Sequence, residues 1–124
     1  MTGRRELGLE GERAAADILR TQGFRIREVN FRTRFGELDI VAEEGEYLCF
    51  IEVRLRSGSS FGTAAESLTA KKREHLVAAA RLYLAARGCS ERPCRFDLLA
   101  LEWDRRTGSV RSHSLIRDAF GVER

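Results

Sequence analysis

The stretch GELDIVAEEGEYLCFIEVRLR, residues 36–56, decides the reading of this chain. Two runs of alternating character flank the turn-forming Glu43-Glu44-Gly45-Glu46, the pattern of a β-hairpin spanning roughly 37–55. Successive side chains of a strand point to opposite faces. Glu37, Asp39 and Val41 therefore share one face, opposite Leu38, Ile40 and Ala42. On the second strand Phe50, Glu52, Arg54 and Arg56 share a face, opposite Cys49, Ile51, Val53 and Leu55. Pairing Glu43 with Glu46 sets Asp39 against Phe50 and Glu37 against Glu52, which collects the charges on one face. A slip of one residue would separate them.

Carboxylates set side by side repel, and burying them unpaired is costly. A hard divalent cation such as Mg2+ relieves both problems, because it takes oxygen ligands and keeps several waters. A fixed positive charge beside such an ion suits phosphate chemistry, where it orients a nucleophile or stabilises charge on the phosphate. The competing account is structural: a solvated strand face laced by ion pairs from Glu52 to Arg54 or Arg56. Spacing alone leaves the two open.

The chain has 124 residues, enough for a single domain with a real core and no staples. A formal net charge of +3 permits a polyanionic partner without demanding one. Lys71 and Lys72 are the only lysines, so arginine carries the positive charge and no single arginine is informative by itself. Cys49, Cys89 and Cys94 make an odd set with no zinc spacing, which argues against a disulfide framework. Cys49 reads as a small buried hydrophobe. No secretory apolar run opens the sequence and no stretch approaches about 18 apolar residues, so a soluble cytoplasmic protein is expected.

Residues 6–22 read as a helix ended by Gly23, with Leu7, Ala14, Ala15, Ile18 and Leu19 at helical spacing. Phe24 to Asn30 reads as a strand, and the hairpin follows. Ser57 to Gly62 is a flexible loop by composition. A long amphipathic helix starts at Ala65 or Thr69 and runs to Arg87, stopped by Gly88. Arg95 to Trp103 is an apolar strand and Asp104 to Gly108 a turn. Val110 to Leu115 is a last strand, followed by a frayed tail. The order αβββαββ predicts an α/β sandwich around a mixed sheet.

The first helix adds a third carboxylate. Glu12 lies between Ala15, Ala16 and Leu19, on the flank of the apolar stripe, whereas Glu10, Arg13, Asp17 and Arg20 lie around the polar side. By itself Glu12 reads as a boundary residue reaching for water. His75 and His113 lack any ligand partner at a known spacing, and no Gly-rich phosphate loop or nucleophile elbow occurs. Asp97, on an apolar strand, either pairs with Arg95 or supports the site from the sheet. Trp103 reads as a core-edge anchor.

Taken together, Glu12 on a helix, Asp39 on a strand, Glu52-x-Arg54 on the paired strand and a long following helix resemble the PD-(D/E)xK (restriction-endonuclease-like) nuclease superfamily. The resemblance is more specific to a small bacterial YraN-like family. It runs through Gly11-Glu12, Asn30-Phe31-Arg32, Gly36-Glu37-Leu38-Asp39, Phe50 to Arg56, Phe61-Gly62, Lys72 and Arg95-Phe96-Asp97, omitting the last twenty or so residues. It implies an αβββαβ core over about 6–103, with a mixed central sheet flanked by helices and a C-terminal strand and tail over 104–124. It further implies a metal-dependent endonuclease acting on DNA, by fold-level analogy branched or damaged DNA. Two cuts at a junction would suit a homodimer.

By that resemblance Asp39 and Glu52 bind Mg2+ or Mn2+. Glu37 is a further ligand or sits just outside the ligands, and Glu12 helps through a water or positions the site. Arg32, Arg34, Arg56 and Lys72 are the residues placed to contact phosphates, with solvated surface charge as the alternative for each. One departure matters: Arg54 stands where the superfamily has lysine. Arginine is always charged, so Arg54 stabilises phosphate charge but cannot act as general base. The substitution leaves two classes open, an adapted nuclease and a non-catalytic module that binds nucleic acid or a partner.

Overall fold

The structure, a computed structural model, describes residues 2–57 and 68–121. Its elements in chain order are α1 (Thr2–Thr21), β1 (Arg25–Thr33), β2 (Gly36–Glu44), β3 (Tyr47–Ser57), α2 (Ala70–Arg87), β4 (Cys94–Asp104) and β5 (Ser109–Phe120). The five strands form one sheet in the order β1-β2-β3-β4-β5. All neighbours are antiparallel except β3 and β4, which run parallel. A parallel pair needs a crossover, and α2 lies within that connection. The expected mixed sheet flanked by helices is the architecture found.

Each helix seals one face. The α2 stripe Leu76, Ala79, Ala80 and Tyr83, at the i, i+3, i+4, i+7 spacing of a single helix face, packs with Leu38, Val41, Leu48, Phe50, Phe96 and Leu98. On the other face Ala15 and Leu19 of α1 pack with Ile40, Ala42, Cys49, Ile51, Leu99 and Leu101. This two-sided burial makes β2, β3 and β4 apolar runs interrupted by only a few charges. Gly11 lets α1 come close to β3: a Cβ there would lie 2.6 Å from Leu55 Cδ1.

Both helices stop in the same way. Gly23 and Gly88 are left-handed, at φ +100° and +66°. The amides that follow reach back five residues, Phe24 to Leu19 O at 3.0 Å and Cys89 to Leu84 O at 2.9 Å, the hydrogen-bond pattern of a Schellman stop. Phe24 and Leu19 also share a core cluster, so the first stop includes an apolar contact. At the start of α2 the Thr69 hydroxyl accepts the Lys72 N–H at 3.1 Å.

Three expectations need correction. The hairpin closes on Glu44–Tyr47 instead of Glu43–Glu46, with Val41 against Phe50 and Ile40 against Ile51. Gly45, at φ +60°, takes the first central position of the two-residue turn, where positive φ is required. The shift is by two residues, so it exchanges partners without exchanging faces. Second, Leu38 does not share a face with Ile40: Leu38 belongs to the α2-side core and Ile40 to the α1-side core, because the strands are irregular beside left-handed Asn30 (φ +57°). Third, the chain beyond Leu115 continues as β5 to Phe120, where Phe120 stacks on Phe96 at 4.8 Å between ring centroids. Of the loop expected from Ser57 to Gly62, Ser57 instead ends β3, and the remainder, with Phe61-Gly62 of the resemblance, lies outside the described residues, as do the helix start at Ala65 and the tail beyond Gly121.

Candidate active site

The corrected register improves the site that the sequence suggested. The β2–β3 ladder runs as far as Ile40–Ile51, and one step further Asp39 falls across from Glu52, not from Phe50. There the Val53 N–H donates to Asp39 Oδ2 at 2.9 Å. The Asp39 carboxyl lies near enough to that of Glu52 for the two to repel. Glu52 is buried, 4% exposed. Burial first, then repulsion from Glu52, pushes the Asp39 carboxyl up to about 7, against a partial opposing pull from the Val53 N–H.

Two cations attend Glu52 Oε2. Arg54 Nε comes from the same strand at 3.7 Å, and Lys72 Nζ comes from α2 at 3.5 Å. Lys72 reaches the carboxylate from the first turn of α2, just behind the Thr69 cap. The chain thus lacks the strand lysine of the superfamily but presents an ammonium to the same carboxylate from a helix.

The other expected residues are placed as follows. Glu37 is engaged by Arg32, Nε to Oε2 at 3.2 Å, on the flank of Asp39. Arg34 lies over the Phe35 ring, 4.9 Å from its centroid, at the β1–β2 tip. Arg56 follows Arg54 on β3. Glu12 Oε1 accepts from Asn30 Nδ2 at 2.7 Å, so α1 is tied to β1 beside the pair of acids. Among the described residues no group of three or more His, Cys, Asp and Glu side chains converges as a ready metal nest. Two adjacent carboxyls, Glu52 buried and Asp39 half-buried, nonetheless fit Mg2+, which accepts one or two carboxylates and fills the remainder of its shell with water.

Asn30, read from the sequence only as part of the family motif Asn30-Phe31-Arg32, was given no place in the site. Pairing of Val29 with Ile40 and of Phe31 with Leu38 sets it across from Asp39. Its trace in the sequence is an asparagine, poor in β propensity, between two strand formers. Asp97 resolves to the structural option: Arg95 grips it with two bonds of 2.9 Å, and it accepts the Asp118 N–H at 2.9 Å. Both histidines are exposed. Among the described residues no helix is long and apolar enough to cross a membrane.

The comparisons with known proteins agree with the motifs. The family model described as "Uncharacterised protein family UPF0102" matches residues 11–101. The UPF0102 protein of Moorella thermoacetica is 47% identical over 117 residues, covering 94% of this chain and 97% of that one. That of Hahella chejuensis is 46% identical over 115 residues, covering 93% and 90%. A UPF0102 protein of Dehalococcoides mccartyi is 38% identical over 120 residues, 97% of each. The chain belongs to the UPF0102 family, the YraN-like family whose motifs its sequence carries.

Proposed function

We propose that the protein is a metal-dependent phosphodiesterase that cleaves DNA, acting in the cytoplasm, where its three free cysteines suit a reducing medium. The observation that carries the reading is the Asp39–Glu52 pair, two carboxyls forced together beside Lys72 and Arg54. Asp39 and Glu52 would hold Mg2+ or Mn2+, which when bound supplies Lewis-acid stabilisation of phosphoryl charge and a lower pKa for bound water. Lys72 and Arg54 contribute fixed charge where a phosphate would gather negative charge. Arg32, Arg34 and Arg56 flank the site and are placed to meet backbone phosphates.

The test is cleavage of linear, flapped and four-way DNA in Mg2+ and in Mn2+, wild type beside Asp39→Ala. Activity lost in the variant supports the reading, and activity retained in it assigns the cleavage to another site. Arg54 favours a second reading, a nucleic-acid-binding module on the nuclease scaffold. Salt-dependent DNA retention without cleavage in either metal would select it.

A further inference from the structure

Asn30 carries two anomalies at one position. Its backbone is left-handed inside a strand, φ +57°, a region that residues with a side chain seldom enter and asparagine enters more readily than most. Its Oδ1 is buried and accepts no hydrogen bond among the described residues, although Nδ2 donates to Glu12 and so fixes which end of the amide is which. Unpaired buried acceptors are rare enough in folded proteins that each calls for a cause.

The cause of the backbone conformation lies in the strand. Glu28 and Phe31 both meet α2, Glu28 through Arg87 at 2.8 Å and Phe31 through the Tyr83 ring. Regular alternation does not put residues three apart on one face. β1 is irregular along this stretch, with a register shift between Ile26 and Glu28 and left-handed Asn30, and the Asn30 amide goes to Glu12 on α1. Asn30 thus bonds Glu12 of α1 while its backbone lies across from that of Asp39, the residue beside Glu52.

We propose that Asn30 is a positioning residue of this site: Nδ2 holds the Glu12 carboxylate in place, and Oδ1 accepts a hydrogen bond from a water that the site uses. The inference rests on the nuclease reading above and adds to it a residue chosen for its carbonyl, at the expense of backbone comfort.

Asn30→Gly and Asn30→Ala separate this role from a structural one. Both remove the amide, but glycine accepts φ +57° and alanine does not. The glycine variant should melt several degrees above the alanine variant. Both should lose kcat by a similar factor, about tenfold or more, with KM for DNA unchanged. The rise in Tm on adding Mn2+ should persist in both, because Asp39 and Glu52 are untouched. An Asn30→Gly protein as active as wild type, or activity that follows melting temperature across the two variants, overturns the inference and leaves the nuclease reading standing. Wild type that cleaves no DNA in either metal removes that reading and this inference with it.

Discussion

Glu43 and Asp39 stand four residues apart on β2, and their carboxyl groups are driven in opposite directions. Glu43 accepts hydrogen bonds from Arg25, from Arg27 at 3.0 Å and from Arg92 at 2.9 Å, which hold it at about 2. Glu44, beside it, is held at about 2 by Arg117 and Arg95, with distances of 2.7 and 2.5 Å. Asp97 completes this end of the sheet in the grip of Arg95. At the opposite end Asp39 faces Glu52 and is pushed up to about 7. One sheet thus contains carboxylates matched to arginines and carboxyls set against each other. The first arrangement is what a stable fold produces when it must bury charge. The second is an arrangement that stability alone does not explain, and such sites are where function is to be sought.

The contrast breaks most visibly at Asp39. Asp39→Asn should lower metal-dependent cleavage roughly a thousandfold, the scale of losing a key electrostatic group from an active site. The same variant should melt no lower than wild type at pH 8, since it removes a repulsion. A lower Tm there would mean that Asp39 belongs with the structural carboxylates. Glu43→Ala should do the reverse, costing about 3 kcal/mol of stability in urea unfolding by leaving clustered arginines without their acceptor, with kcat unchanged. Loss of activity in a folded Glu43→Ala protein would erase the distinction between the two ends.

Smaller effects sharpen it. Lys72→Ala should reduce cleavage about tenfold and reduce the salt slope of DNA binding by about one, as expected for a lost phosphate contact. Arg54→Lys should change cleavage less than Lys72→Ala does, because Lys72 already brings an ammonium to Glu52. Equal effects in binding and catalysis assays would remove the special place of Lys72. The pH dependence of stability separates the ends by sign. Glu43 and Glu44 have folded pKa values below their ordinary value of 4.5, so their contribution is full above about pH 4.5 and disappears as pH falls towards 2. Asp39 lies above its ordinary value of 3.8. In its case the folded protein keeps a proton that the unfolded chain releases, and stability falls as pH rises from about 4 to 7. Asp39→Asn should flatten the upper limb and Glu43→Gln the lower one, in denaturation midpoints measured across pH 2–8.

Much of the fold could be read from local pattern. The apolar runs of β2, β3 and β4, the helix stripe through Leu76 and Tyr83, and the stops at Gly23 and Gly88 all follow from spacing and glycine placement. The acids of the site were legible as charges out of place in apolar strands. Their partners were not. Arginines at Arg25, Arg27, Arg92 and Arg117 look like any surface charge in a chain so rich in arginine, yet they converge on two glutamates. The length of β5 was underestimated because Ser112, Ser114 and Arg117 disguise a strand that is half exposed and held by Phe120.

By itself the sequence determined the identity of the elements and marked Asp39 and Glu52 as charges in paired apolar strands, although strict alternation fails between Leu38 and Ile40. It also determined the family, through motifs carried in local order. The tertiary structure alone decided which carboxylate meets which. A two-residue difference in register keeps every face and changes every partner, and it turned Asp39 from Phe50 to Glu52. Only packing brings Lys72 from a helix to Glu52 and sets the Asn30 amide against Glu12 of α1. Those contacts join segments far apart in the chain, and their energies depend on burial and on neighbouring charge, neither of which local sequence contains.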